Sequence, residues 1–321
     1  MEVLLRTKDL RKYFSTPRGP LKAVDGISIE LPKGATLGVV GESGCGKSTL
    51  GRVILRLVEP TSGEVAFNGT DVMTMSRQAM SRFRKEAGII FQDPFASLNP
   101  RLTVSELIEE PLIVNNTYNN KQERRQAVFK MMETVGLTAR LINAYPHELD
   151  GGRRQRIGIA RTLVLNPRFI VCDEPVSALD VSIQAQILNL LMDLQEEFDL
   201  SYMFITHDLS VVKHISNEIM VMYLGVCVEK AQQEELFRNP MHPYTKALLA
   251  AIPRPRLSSR KNRKEIIKGE VSSPVNLKPG CRFANRCPHM TGKCGIDENV
   301  RFIDYGGGHY VSCAMLNESK S

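Results

Sequence analysis

The stretch "GESGCGKST", Gly41 to Thr49, constrains the fold of this chain more than any other nine residues in it. It follows the apolar run "ATLGVV" and leads into "KSTLGRVILRLV", where Leu50, Val53, Ile54, Leu57 and Val58 recur at helical spacing. A strand, a glycine-rich loop and a helix therefore succeed one another with the pattern G-x-x-x-x-G-K-[ST]. Gly41, Gly44 and Gly46 permit a loop tight enough for its backbone N–H groups to converge on phosphate oxygens. Lys47 adds positive charge for the β- and γ-phosphates, and the Ser48 hydroxyl is a ligand for Mg²⁺. The start of the helix contributes its own partial positive charge. Ser43, Cys45 and Thr49 complete the loop, Cys45 at a position with no chemical constraint. A glycine turn that only started a helix would need neither Lys47 nor Ser48. The expectation is an α/β fold with a phosphate-loop core that binds the phosphates of a nucleotide.

The remainder supports that fold class. "VLLRTKDLRKYF" and "VDGISIEL" are β-rich and bounded by Gly or Pro, and "GEVAFNGTDV" reads as a hairpin. Residues 101–165 read as mainly helical, broken at "VNNTYNN" and "NAYPHELDGG". "RFIVCDE" and "SYMFITHD" are apolar strands ending in polar residues, separated by the amphipathic "QAQILNLLMDLQEEF". Strands alternating with helices predict a largely parallel sheet, with ligands at the strand C-termini. From about Ile252 the texture changes. Residues 253–275 read as a basic linker, opening with "PRPRLSSRKNRK", and 276–321 as a small cysteine-rich module.

The 321 residues suit one large domain plus an appendage. The net charge of +7 permits contact with nucleic acid, acidic lipid or nucleotide phosphates and selects none of them. The N-terminus lacks a signal-peptide core, and no apolar run approaches the ~18 residues of a membrane span. The longest, "IMVMYLGVCV", suits a buried strand or hairpin. The expectation is a chain neither exported nor membrane-inserted, whose seven cysteines form no disulfides.

"FIVCDEP" supplies the acids that complete the phosphate loop. Asp173 ends a buried strand, where it holds Mg²⁺ through water. Glu174 polarises a water for in-line attack on the γ-phosphate. His207, ending "FITH", hydrogen-bonds the γ-phosphate and that water. Gln92, after "IIF", is a neutral amide that reaches Mg²⁺ without adding charge. By itself, His207 reads rather as a capped strand-end histidine, and Gln92 also reads as a strand-end polar residue.

In the order "GESGCGKST", "FQDP", "DGGRRQR", "FIVCDEP", "SALD" and "THD", these residues resemble the ATP-binding cassette (ABC) ATPases over roughly residues 3–250. "FQDPFASLNPR" (91–101), "NPMHPYTKALLAAIP" (239–253) and "GEVSSPVNLKPGCRFANRCP" (269–288) extend the resemblance to the ATPase subunits of oligopeptide and dipeptide importers. The resemblance implies a cassette over 1–252: a mixed-sheet core, an N-terminal antiparallel β subdomain and an inserted helical subdomain at about 93–165. It implies two cassettes facing head to tail, each ATP lying between the phosphate loop of one and the "LSGGQ" turn of the other. It implies an aromatic stacked on adenine, Tyr13 with Phe14 as rival, and Asp180 of "SALD" at the dimer seam. The implied partners are a paralogous ATPase subunit, two transmembrane permeases gripped by the helical subdomain and, indirectly, an extracytoplasmic peptide-binding protein. The implied location is the cytoplasmic face of the membrane. Nickel or another small solute is an alternative cargo for the same motor. A cassette ATPase acting on nucleic acid is the competing class, but the chain has one cassette, no helix-turn-helix or zinc finger, and no interleaved aromatics.

In "HELDGGRRQR" the chain departs from the family pattern. Asp150 stands where a serine would donate to the γ-phosphate, and Arg153 stands in the place of a glutamine. Gly151 and Gly152 are retained. An ionised carboxylate about 4 Å from phosphate repels it by about 4 kcal/mol at an effective dielectric of about 20. Because this turn serves the partner's ATP, the expectation is a heterodimer with one competent and one weakened site. Asp150 turned away, or paired with an arginine, is the other reading.

Cys281, Cys287, Cys294 and Cys313 are spaced C-x₅-C-x₆-C-x₁₈-C. Four clustered cysteines in a reducing compartment point to metal. The spacing leaves open an iron–sulfur cluster, zinc and free thiols. The missing tight pair tells against zinc, and the importer resemblance favours a [4Fe–4S] cluster. A module of this size has little core of its own, so metal is expected to hold it together.

Overall fold

The computed structural model describes residues 2–252, 274–296 and 300–317. In chain order the first elements are β1 (Val3–Thr16), β2 (Gly19–Pro32), β3 (Thr36–Val40), α1 (Lys47–Ile54), β4 (Ser62–Phe67), β5 (Thr70–Asp71), α2 (Arg77–Glu86) and β6 (Ala87–Ile90). Next come α3 (Val104–Val114), α4 (Lys121–Thr134), α5 (Gly151–Leu163), β7 (Phe169–Asp173), α6 (Val181–Phe198) and β8 (Ser201–Thr206). The chain continues with α7 (Leu209–Ile215), β9 (Glu218–Tyr223), β10 (Val226–Gln232), α8 (Gln233–Arg238) and α9 (Pro243–Ala251). It ends with β11 (Phe302–Asp304), β12 (Tyr310–Ser312) and α10 (Ala314–Asn317). Residues 253–273, nearly all of the expected linker, lie outside the described residues.

The elements fall into two compact units. The first comprises residues 1–4, 31–35 and 70–205. There β6, β7 and β8 pair in parallel, with Ala87 opposite Phe169 and Phe169 opposite Ser201. All residues of β7 and β8 are buried. Such strands read as continuous apolar runs because a parallel sheet is covered on both faces. The Tyr202 hydroxyl, deep in β8, donates to the Leu191 carbonyl of α6 at 3.0 Å. Helices α3, α4 and α5 pack on one another, and Leu107, Ile108, Val128, Met132, Ile157 and Ala160 along them are buried. A reciprocal cap starts α3: the Glu106 N–H meets the Thr103 hydroxyl, and the Thr103 N–H meets the Glu106 carboxylate. Asn120 caps α4, so "VNNTYNN" is a helix break as expected.

The second unit comprises residues 5–30, 36–69 and 206–321. One sheet runs β2–β1–β4, with β1 antiparallel to β4 from Leu5 opposite Phe67. The other is mixed. Buried β3 is parallel to β9, β9 is antiparallel to β10, and β12 and β11 continue antiparallel beyond β10. "IMVMYLGVCV" is the expected hairpin, turning at Leu224 and Gly225, both at positive φ. Helix α1 is shorter than its apolar pattern predicts. Arg56 adopts φ +50 and the Leu57 N–H closes on the Arg52 carbonyl, so Leu57 lies beyond the helix and is exposed.

Candidate active site

In the second unit the phosphate loop joins β3 to α1. Gly46 caps α1 with φ +106, and a Cβ there would lie 1.9 Å from the Ala23 carbonyl oxygen. Only glycine fits that approach. Lys47 is buried. Its ammonium donates to the carbonyls of Gly41 (2.8 Å) and Glu42 (3.1 Å) and lies 3.9 Å from the Cys45 sulfur. The lysine is thus folded over the loop whose N–H groups it serves. Burial raises the Cys45 thiol pKa, against the opposing pull of the Lys47 ammonium. Ser48 and Thr49 occupy the first turn of α1.

Tyr13, on β1, belongs to the same unit. Its hydroxyl donates to Asp25, and Lys22 lies 5.3 Å from its ring centroid. Burial, and then that bond to Asp25, hold the phenol pKa above its ordinary value. The rival Phe14 is more exposed and lies under Lys12. His207 is exposed, one residue beyond β8.

In the first unit, Asp173 ends β7 and Glu174 follows it, and they are 2% and 8% exposed. Glu174 has φ +49, a conformation costing a non-glycine residue about 1–3 kcal/mol and concentrated at functional sites. Its N–H is held by the Ile205 carbonyl at 3.0 Å. The Gln92 amide N–H donates to the Glu174 carboxylate at 3.0 Å. That bond directs the amide oxygen, the atom a hard cation takes, away from the carboxylate.

Asp150 is the N-cap of α5. One carboxylate oxygen accepts the Arg153 N–H at 2.8 Å, and the other lies 3.3 Å from the Arg153 guanidinium. Of the two readings of this residue, the geometry is that of pairing with an arginine. A Cβ at Gly152 would stand 2.7 Å from the Ile183 side chain of α6, so close helix approach requires that glycine. Asp180 caps α6 by accepting the Ile183 N–H at 3.1 Å.

The expected metal centre gains no support from the side-chain arrangement. Among the described residues no group of three or more His, Cys, Asp or Glu side chains stands where it could hold a metal ion. Burial first, then the neighbouring Cys313, Cys294 and Cys287, push the Cys281 thiol up to about 11. Cys287 is raised by burial in the same way. The module is also fastened by contacts within the protein. β12 extends the mixed sheet from β10, buried His309 binds buried Glu229 at 2.8 Å, and Phe283 packs among Tyr223, Tyr244 and His242. Sequence reasoning missed Arg282 and Arg286, which reach Asp25 and Glu42 of the nucleotide-binding segments. Two arginines inside "CRFANRC" were the visible signal; their partners, more than 240 residues upstream, carry no sequence mark.

A strand–loop–helix phosphate cradle, an acid pair ending a parallel strand and a capped glycine turn define an ABC cassette. The family profile described as ABC transporter matches residues 24–177, and that described as oligopeptide/dipeptide transporter, C-terminal region, matches 228–294. The dipeptide transport ATP-binding protein DppF of Haemophilus influenzae is 52% identical over 322 residues, covering 98% of this chain and 97% of its own. The oligopeptide transport ATP-binding protein OppF of Bacillus subtilis is 53% identical over 314 residues, covering 97% and 96%. Among solved structures, the dimeric bacterial ABC transporter cassette MJ0796 matches with a TM-score of 0.65 at 29% identity, over 72% of this chain and 99% of that one. The chain belongs to the ABC transporter family, among the oligopeptide/dipeptide transport ATP-binding proteins, and is an ATPase.

Proposed function

We propose that this ATPase powers the import of di- or oligopeptides across the cytoplasmic membrane. The observation that carries the reading is the pairing of a complete phosphate loop with the importer-type C-terminal region in one chain. The backbone N–H groups of Gly41–Thr49 and the Lys47 ammonium bind the ATP phosphates. Tyr13 stacks on adenine. The oxygens of Ser48, Gln92 and Asp173 suit Mg²⁺, which when bound neutralises phosphate charge. Glu174, steadied by Gln92, takes the proton of the attacking water, and His207 orients that water against the γ-phosphate.

The partners are a paralogous ATPase in a heterodimer, two permeases and, indirectly, a peptide-binding protein outside the membrane. The chain works as a peripheral subunit at the cytoplasmic face; among its described residues no helix is long and apolar enough to cross a membrane. Exposed Phe95, Ile113 and Val114 in the 93–165 helical segment support docking to the permeases there. Asp150–Gly151–Gly152 faces the partner's ATP, and Asp150, partly neutralised by Arg153, weakens that site modestly. Cys294 and Cys313 lie near enough to Cys281 and Cys287 to raise the pKa of those two thiols, and four thiolates are the donor set of a [4Fe–4S] cluster, with Zn²⁺ as the alternative. Iron by elemental analysis with a visible absorbance band supports the cluster; zinc alone rules it out.

The functional test uses the assembled complex. Glu174→Gln retains ATP and loses turnover, Lys47→Ala loses ATP retention, and peptide with its binding protein stimulates the parent ATPase. Turnover that survives both substitutions, or that ignores peptide, refutes the reading.

A further inference from the structure

The segment between Cys281 and Cys287 reads Arg-Phe-Ala-Asn-Arg. Three of its five side chains reach into the nucleotide-binding segments of the same unit. Phe283, 1% exposed, sets its ring edge-on to Tyr223 at 5.3 Å and packs on Tyr244 at 5.3 Å. The Tyr244 hydroxyl accepts the N–H of Glu42, the second residue of the phosphate loop, at 2.9 Å. Arg286, nearly buried, donates to both carboxylate oxygens of Glu42, at 2.7 and 3.0 Å, and to the Tyr223 hydroxyl at 3.3 Å. Lys47 holds the Glu42 carbonyl. Glu42 is thus fixed by its side chain, its N–H and its C=O at once.

A second arm leaves the same segment. Arg282 donates to the Leu224 carbonyl and to one Asp25 oxygen, while the other Asp25 oxygen accepts the Tyr13 hydroxyl. Lys22, which lies over the Tyr13 ring, stands 3.4 Å from Asp25. One short loop therefore holds both the phosphate cradle and the aromatic ring assigned to adenine. Bidentate arginine–carboxylate bonds are the strong, orienting kind. A loop ordered before its ligand arrives spends less of the binding energy on ordering.

We propose that Arg286 and Arg282 are positioning residues for ATP: Arg286 orders the phosphate loop through Glu42, and Arg282 orders the Tyr13 ring through Asp25. The cysteine-bracketed loop thereby sets the affinity of this chain for nucleotide. The proposal rests on Lys47 and Tyr13 being ATP-binding groups. A staple that only fastened the C-terminal module would lower thermal stability and leave the affinity of the folded protein alone.

The test uses the full chain with its paralogous partner. It measures binding of a non-hydrolysable ATP analogue and of inorganic tripolyphosphate by calorimetry, ATP KM and kcat, and the melting temperature of each variant. Arg286→Ala and Glu42→Gln are each expected to weaken analogue binding about tenfold, equivalent to about 1.4 kcal/mol, and to raise KM while kcat stays within about twofold. The double variant is expected to be no weaker than either single one, as for two ends of one interaction. Arg286→Lys should recover part of the loss. Arg282→Ala should weaken the ATP analogue but not tripolyphosphate, which lacks adenine, whereas Arg286→Ala should weaken both. Parental affinity in folded Arg286→Lys, Arg286→Ala and Glu42→Gln overturns the proposal, as do additive losses in the double variant. If Arg286→Ala does not fold, Glu42→Gln and Arg286→Lys decide. A Lys47→Ala variant that binds the analogue as well as the parent would instead overturn the underlying assignment of the site.

Discussion

Replacing Asp150 by serine asks whether the carboxylate in front of the two glycines weakens the ATP site it faces. Unopposed, its charge would cost about 4 kcal/mol at about 4 Å from a phosphate, with an effective dielectric of about 20. The structure reduces that figure. Arg153 lies 3.3 Å from the carboxylate, and the two side chains are 47% and 58% exposed, so the pair is neutral at a distance and screened by water. A residue of about 1 to 1.5 kcal/mol, or five- to tenfold in binding, is what remains. The fold should tolerate the change. Serine caps a helix about as well as aspartate, and the losses are one exposed ion pair and the favourable charge at a helix start, each below about 1 kcal/mol. The assay is ATP turnover of the complete complex at limiting ATP. Asp150→Ser should raise it severalfold because it removes charge and adds a donor. Asp150→Ala removes charge alone and loses about 1 kcal/mol of capping, so its gain should be smaller. Turnover of Asp150→Ser equal to the parent, in a protein with unchanged melting temperature, would refute the weakened-site argument and leave Asp150 as a helix cap.

Two glycines should behave oppositely. Gly46→Ala drives a methyl group into the Ala23 carbonyl at a left-handed residue and should cost several kcal/mol together with ATP retention. Gly158→Ala, in α5 with open space at its Cβ, should stabilise by about 0.5–1 kcal/mol, and thermal denaturation checks both. Two buried histidines should give pH dependences of opposite sign. The His309 pKa is raised by Glu229, with Glu235 at 3.8 Å adding to it. Its stabilisation is complete below the unfolded value of about 6.5 and is lost as pH rises through the raised folded value. His242 is pushed down to about 4 by burial, and its Nδ1 already accepts the Tyr244 N–H. The unfolded chain takes that proton first, so stability falls as pH drops from about 6.5 to 4, by up to roughly 3 kcal/mol. His309→Gln should flatten the alkaline side of a melting-temperature profile, and His242→Asn the acid side; an unchanged profile in either variant refutes its assignment.

What could be read from the sequence divides along a physical line. The phosphate loop, the acid pair after β7 and the parallel strands are local patterns, in which backbone geometry and chemistry lie within a few residues, and these stand where the pattern puts them. The end of α1 was misread because helical periodicity continues through Leu57 and Val58, although Arg56 has already turned left-handed. Apolar spacing records burial, not hydrogen bonding. The sequence leaves Asp150 open between an unopposed charge and an arginine pair, because the choice depends on a side-chain geometry that only the first turn of α5 fixes, where Arg153 follows the cap. The fastening of the module was hidden because its partners lie far away in sequence. Four cysteines attract a metal argument because they share a chemistry visible in one dimension. The groups that fasten the module to the cassette do so in pairs far apart in sequence, Arg286 with Glu42 and His309 with Glu229, each ordinary taken singly. Such a pair becomes informative only when folding desolvates it, since a nearly buried arginine without a carboxylate would be costly. The nucleotide loop and the cysteine segment thus each hold half of an interaction that neither motif announces, and the function of the C-terminal region is to be sought in that contact as much as in its thiols.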